Sequence, residues 1–136
     1  MLAEAADRAG AESNAAAASL VAAVPSEKSL ETLIRAYFSK AHLKGIETGC
    51  PTSALASEMP RQSPEVRRAA TRRIKEMIDL VARQMPDWGQ PSAHERALAT
   101  VASMVGTLTL ARAVDDAALS DALCKATLKH LIPAEA

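Results

Sequence analysis

The segment 97–114, ALATVASMVGTLTLARAV, constrains the fold of this chain more than any other feature. It carries one charged side chain, Arg112, and its composition predicts a single helix. A surface helix of a small domain normally has one apolar stripe, but this helix has two faces that can be buried. The large side chains of the first face are Leu98, Val101, Val105 and Leu108, and the small residues of the second are Ala99, Ala102, Ser103, Gly106, Thr109 and Ala113. We expect the first face to pack in the chain's own core and the second to pack against a partner.

The composition favours an all-α domain. Hydrophobic residues make up 49% of the 136 residues, but aromatic residues only 2%, namely Tyr37, Phe38 and Trp88. Alanine, the strongest helix former, accounts for about a fifth of the chain, whereas the residue types typical of strands are scarce. A chain of this length forms one domain with its own core. We therefore predict a single domain over residues 1–136, an antiparallel bundle of about six helices.

Charge and cysteine content narrow the classes of function. The 16 basic and 16 acidic residues cancel, whereas a chain that held duplex DNA alone would carry a marked basic excess. Two cysteines are too few for a disulfide framework, and the charges in the first 24 residues argue against a signal peptide, so we expect a cytoplasmic protein. The segment 97–114 is shorter than the about 20 apolar residues that cross a bilayer, and we predict no membrane association.

Periodicity and capping residues predict the positions of the helices. The first four predicted helices span residues 2–24, 26–47, 52–59 and 63–85. The fifth begins at a capping box formed by Ser92 and Glu95, and the sixth runs from Asp115 or Asp116 to about Leu131. The first helix has no N-cap and no preceding turn, which indicates a piece of a longer protein.

The chemistry-bearing residues favour no enzyme. There is no GxSxG nucleophile motif and no glycine-rich phosphate loop, and neither cysteine has a flanking base to activate it. Three histidines, His42, His94 and His130, lie on three different predicted helices without a second ligand one turn away. We therefore predict no catalytic residues, no metal site and no cofactor.

Three features leave two interpretations open. The cluster from Arg67 to Lys75 is either a nucleic-acid patch or the solvated face of a helix, since acidic residues interleave with it and no aromatic side chain accompanies it. Cys50 is either a redox-sensitive thiol at a helix start or a small buried hydrophobe. The methionines at positions 59, 77, 85 and 104 either line a void between alanine-rich helices or fill the core.

The order of these elements resembles the C-terminal regulatory domain of TetR-family transcriptional repressors, over nearly the whole chain. The motifs Gly49-Cys50-Pro51 and Leu55-Ala56-Ser57-Glu58 are similar to a segment that opens a short helix in one branch of the family. The stretch GTLTLARAVD at 106–115 is similar to a family helix end, and LSDAL at 119–123 is similar to the last helix. Family members carry an N-terminal helix-turn-helix domain, and residue 2 corresponds to a position early in the helix that follows it. The resemblance therefore implies contact with DNA only through that missing domain.

The resemblance also implies what the domain does. It would be an effector-binding, homodimerising domain that transmits small-molecule binding to DNA-binding heads through a tilt of the first helix. The last two helices of each subunit would form a dimeric four-helix bundle, with an interface of Ala99, Ala102, Ser103, Gly106, Leu110, Ala113, Leu119, Ala122, Leu123 and Ala126. A modest-sized, apolar effector would bind among the preceding helices, where the candidates are Phe38, His42, Leu55, Ile74, Met77, Ile78, Val81, Trp88, Met104 and Leu108. The alternatives are a stand-alone helical interaction module, a truncated regulator that dimerises without binding DNA, and a small helical enzyme or cofactor carrier.

Overall fold

The computed structural model describes residues 2–45 and 56–132, and within these two stretches every regular element is a helix. In chain order the elements are α1 (Leu2–Ala22), α2 (Ser26–Tyr37), α3 (Lys40–Lys44), a 3-10 helix (Ala56–Arg61), α4 (Pro64–Arg83), α5 (Pro91–Ala113) and α6 (Ala117–Leu131). The prediction of an all-α fold is confirmed. The 3-10 helix overlaps the end of the helix predicted at 52–59, whose first residues lie outside the described stretches.

The helix predicted at 26–47 is wrong, because the chain bends after Tyr37. Phe38 closes α2, and the extended backbone of Ser39 begins α3 with its hydroxyl accepting a hydrogen bond from the His42 N–H at 3.2 Å. A serine hydroxyl that bonds a nearby N–H offers the backbone an alternative to the helical hydrogen bond, and this favours a helix start at such a position. The bend brings the rings of Tyr37 and His42 together, with centroids 4.7 Å apart.

Two of the four predicted N-caps agree with the structure. Ser63 caps α4, followed by a proline in the first turn, and Asp116 caps α6 by accepting from the Leu119 N–H at 3.1 Å. The N-cap predicted at Ser26 is wrong, because α2 begins at Ser26 itself and Pro25 holds the N-cap position. The capping box predicted at Ser92 is wrong, since α5 begins at Pro91. The Ser92 hydroxyl instead donates to Asp87 Oδ2 at 2.5 Å, which fastens the start of α5 to the turn before it.

The core consists of two adjoining clusters between α2, α4 and α5. The first contains Leu33, Val81, Ala82, Met85, Ala93, Ala97 and Val101, and the second contains Ile34, Tyr37, Met104 and Leu108. Alanines at the α4–α5 contact let the two helix backbones approach closely. Leu98, predicted to face the core, is 45% exposed, and that prediction is wrong. Ala97 and Val101 occupy the inner side of α5, so their neighbour Leu98 points away from it.

α1 packs along α4, and the two helices come very close at Gly10. Gly10 of α1 is buried, and a Cβ added there would lie 2.8 Å from Arg73 Cγ. Arg73 also donates to both carboxylate oxygens of Asp7, at 2.7 and 3.0 Å, and holds the pKa of that carboxyl below its usual range. Further along both helices, Ala17 and Leu80 line the same cavity. The two helices therefore run in the same direction, and α4 begins at the end of the molecule where α1 begins.

Candidate functional site

The ten residues predicted for a dimer interface all lie on α5 and α6, on the side turned away from the core. Eight of them are exposed, and Ser103 and Leu123 are half-buried. We call these ten residues together with Leu98 the outer face. Leu98, Leu110 and Leu119 are 45%, 54% and 45% exposed, and they are three of the four large hydrophobic residues that stand exposed within the described stretches. Large contiguous apolar patches of this kind are typical of protein interfaces.

Polar contacts on the opposite side hold α5 and α6 next to each other. The hydroxyls of Thr107 and Thr127 form a hydrogen bond of 2.8 Å, and the Ser120 hydroxyl donates to the carbonyl of Ala111 at 2.9 Å. A turn of three residues joins the helices, so they are antiparallel neighbours. The outer face is consequently one surface shared by two helices. At its middle, a Cβ added to Gly106 would meet no heavy atom within 4 Å.

Six of the residues predicted to bind an effector belong to the two core clusters. Val81, Met104 and Leu108 are buried, while Phe38, Met77 and Ile78 pack against them from the edge. Ile74 is half-buried on α4. Trp88 stands apart, 54% exposed in the turn before α5. Leu55 lies outside the described residues.

A cavity of about 40 Å³ lies where α1, α2, α4 and α5 meet. Three predicted effector residues line it, namely Met77, Val81 and Met104. The wall that the sequence analysis missed is α1, which contributes Ser13, Asn14 and Ala17. Ligand pockets usually measure about 300–1,000 Å³, so this cavity accommodates a drug-sized molecule only if the helices around it separate.

His42 has a structural role at the α2–α3 bend. Its Nδ1 lies 2.6 Å from the carbonyl oxygen of Tyr37, and Arg112 of α5 donates to the carbonyls of His42 and Leu43 at 2.6 and 3.1 Å. Burial lowers the pKa of His42, and the nearby guanidinium of Arg112 acts in the same direction. Because the carbonyl of Tyr37 can only accept, Nδ1 carries a hydrogen and donates it to that oxygen.

A larger groove, of about 740 Å³, lies between the start of α2, the end of α4 and the start of α5. Leu30, Met85 and Ile132 supply apolar surface, and Glu27 and Arg83 stand among its charged residues. Its size is within the usual range for small-molecule sites. None of the nine predicted effector residues within the described stretches lines it.

The remaining sequence hypotheses concern cysteine, metal and membrane. Cys50 lies outside the described residues, and its redox role stays a prediction. Cys124 is buried, and desolvation raises the pKa of its thiol. Across 2–45 and 56–132 we find no group of three or more His, Cys, Asp or Glu side chains placed to hold a metal ion. In the same stretches, no helix combines the length and the hydropathy that a membrane span requires.

A comparison with protein families gives one match. The C-terminal domain family of LmrA/YxaF-like transcriptional regulators, a TetR-type domain, matches residues 25–123. The matched region runs from the start of α2 into α6, and it contains nine of the ten predicted interface residues and all ten predicted effector residues. No curated protein matches the chain.

Proposed function

Because the chain belongs to the TetR family of transcriptional regulators, as a C-terminal domain of the LmrA/YxaF-like type, we propose that it forms a homodimer whose small-molecule effector controls the DNA-binding heads of a cytoplasmic repressor. The observation that carries this proposal is the exposed outer face. The outer face also supports the simpler alternative of a helical interaction module. Binding of a small-molecule effector is expected of the regulatory domain and not of the interaction module.

The outer face has the chemistry of a surface that can be buried. Its centre consists of small residues around Gly106, and the leucines Leu98, Leu110 and Leu119 stand exposed beside them. The hydroxyl of Ser103 donates to the carbonyl of Ala99 at 2.9 Å. Burial of that hydroxyl would therefore leave no unsatisfied donor. Two copies related by a twofold axis would bury this face against itself as a four-helix bundle.

Gly106→Leu tests the dimer. An added Cβ at this position has no described neighbour outside its own helix within 4 Å, and the position is exposed, so the variant should fold, and its bulk should prevent two α5 helices from approaching. Light scattering after gel filtration should give a dimer for the unmodified chain and a monomer for the variant. Ala15→Leu, at an exposed alanine of α1, is the matched control and should remain dimeric. A monomeric unmodified chain, or a dimer unaffected by Gly106→Leu, contradicts this interface.

The small cavity is where we place the effector. Its lining includes Met77 and Met104, whose flexible side chains adapt to different shapes. Because α1 forms one of the four walls, we propose that a ligand enlarges the cavity by displacing α1 from α4. In the family, the corresponding helix leads to the DNA-reading domain, so the displacement would change the spacing of the two heads.

A thermal-shift screen of small apolar compounds tests the effector site. A compound at a hundredfold its Kd should stabilise the chain by about 2.7 kcal/mol. Met77→Trp, which fills the cavity, should abolish that stabilisation, whereas Ala41→Trp at an exposed position of α3 should preserve it. Binding that survives Met77→Trp would exclude the cavity and point to the groove beside Leu30. A screen without any binder would favour the interaction module.

A further inference from the structure

A row of exposed cations follows α4 from its first turn onward. Arg67, Arg68, Arg72 and Lys75, which we call the basic row, line an open cleft of about 590 Å³, and all four are exposed. The other described residues of the cleft are neutral, so the described part of its lining carries four positive charges and no carboxylate. This charge is local, since the chain as a whole is neutral.

Two of the three acidic residues near the basic row in the sequence, Glu76 and Asp79, are bonded to other partners. Glu76 accepts hydrogen bonds from Arg73 and Asn14, which lower its pKa, and Asp79 is paired with Arg83. Glu65 is exposed in the first turn of α4 but does not line the cleft. The structure therefore does not neutralise the row with its sequence neighbours, as the solvated-face interpretation assumed.

Three of the four cations have no ion pair within the described stretches. They are Arg67, Arg68 and Lys75. Arg72 lies 3.3 Å from Asp7, but Arg73 holds the same carboxylate by two shorter bonds. Arg67, Arg68 and Lys75 thus present uncompensated charges to solvent, and an anionic partner would pair with these three side chains without breaking an ion pair of the described residues.

The row's position indicates which partner it faces. α1 and α4 run in the same direction, so the first half of α4 lies at the end of the molecule where α1 begins. In TetR-family regulators the DNA-reading domain precedes the corresponding helix. In a regulator arranged in this way, the basic row lies at the end of the chain that faces the DNA-reading domain.

The shape of the row indicates the class of ligand. From Arg67 to Lys75 the helix rises by about 12 Å, so the cations are spread along a line and do not converge on one point. A single phosphate ion would contact only part of such a row, whereas a nucleic-acid backbone presents a series of charges. The cleft contains no aromatic side chain for stacking on bases. We propose that the basic row binds the phosphate backbone of duplex DNA without reading its sequence.

Fluorescence anisotropy of the purified chain with a labelled duplex of arbitrary sequence tests this proposal. We expect binding at a low salt concentration of about 25 mM, where phosphate contacts are strong. The affinity should fall steeply as the salt concentration rises. Each phosphate contact contributes about −0.9 to the slope of log K against log salt. The variant Arg67→Ala/Arg68→Ala/Lys75→Ala should therefore reduce the slope by about 2–3 and weaken low-salt binding at least about tenfold.

The matched control removes three exposed cations elsewhere, Lys40→Ala/Lys44→Ala/Lys129→Ala. It changes the net charge equally and should retain most of the affinity and slope. Three results would overturn the proposal: no binding at low salt, equal losses in the two variants, or poly-glutamate binding as tight as duplex binding, which would assign the row to an acidic protein surface. Circular dichroism establishes that both variants fold. None of these results depends on dimerisation or on an effector.

Discussion

The two faces of α5 are built from similar residues, but they differ in what they contact. On the inner face Ala97, Met104 and Leu108 are buried in the core. On the outer face Leu98, Gly106 and Leu110 lie exposed. A helix that is apolar all round normally lies inside a larger structure, and the described residues supply a partner for only one side of α5. This difference is the reason for our proposal that a second subunit covers the other side.

The largest expected effect is a difference in unfolding free energy between two Leu→Ala variants of α5, one on each face. Leu108 is fully buried, so Leu108→Ala should cost about 2–5 kcal/mol of unfolding free energy through lost contacts and a cavity. Leu110 is 54% exposed, so Leu110→Ala should change the stability of a single subunit by no more than about 0.5 kcal/mol. Urea unfolding followed by circular dichroism measures both values.

Protein concentration sharpens this comparison. If Leu110 is buried between two subunits, Leu110→Ala should lower the unfolding free energy more at protein concentrations at which the unmodified chain is a dimer than at those at which it is a monomer. The reason is that association stabilises the folded state. The loss from Leu108→Ala should stay constant across that range. A concentration-independent loss at Leu110 as large as that at Leu108 would mean that both faces are packed within one subunit.

Much of the fold follows from local signals in the sequence. The all-α class follows from the abundance of alanine and the scarcity of strand-forming residues. Ser63 and Asp116 act as N-caps as predicted, because each has a free side-chain oxygen beside unpaired N–H groups. The small residues predicted for an interface lie on one exposed surface, because helical periodicity alone determines which residues share a face.

The errors arise where a tertiary contact decides between local possibilities. Ser92 can cap a helix, but its hydroxyl donates to Asp87, and the N-cap position is Gln90, two residues earlier. Leu98 fits an apolar stripe, but the alanines of α5 pack more closely against α4 and occupy the inner side. Neither competition is visible in the spacing of residues.

The candidate site shows the same limit. The sequence grouped Met77, Val81 and Met104, and the structure brings all three to one cavity. It did not predict Asn14, because α1 was interpreted as a connection to a further domain and not as a wall. The small residues that face α4, above all Gly10, were a usable signal of close helix contact.

A smaller effect on the unfolding free energy is expected from Gly→Ala at two glycines, Gly106 on the outer face and Gly10 at the α1–α4 contact. In a helix interior, Gly→Ala normally stabilises by about 0.5–1 kcal/mol. At Gly106 an added Cβ meets no heavy atom within 4 Å, so Gly106→Ala should show this gain when the chain is monomeric. At Gly10 the Cβ would lie 2.8 and 3.1 Å from Cγ and Cβ of Arg73, atoms close to the α4 backbone that cannot swing aside. Gly10→Ala should therefore give a net loss of up to about 2 kcal/mol, since overpacking outweighs the helix gain.

The same pair of variants also tests how tightly α1 is held. Relief of the clash at Gly10 requires α1 to move away from α4, which strains the bonds from Arg73 to Asp7. Amide hydrogen exchange in Gly10→Ala should consequently accelerate along α1 more than along α6, and Gly106→Ala should leave α1 unchanged. A gain in stability at both glycines would show that α1 and α4 tolerate separation. It would contradict the contrast between a tightly packed α1–α4 contact and an exposed outer face.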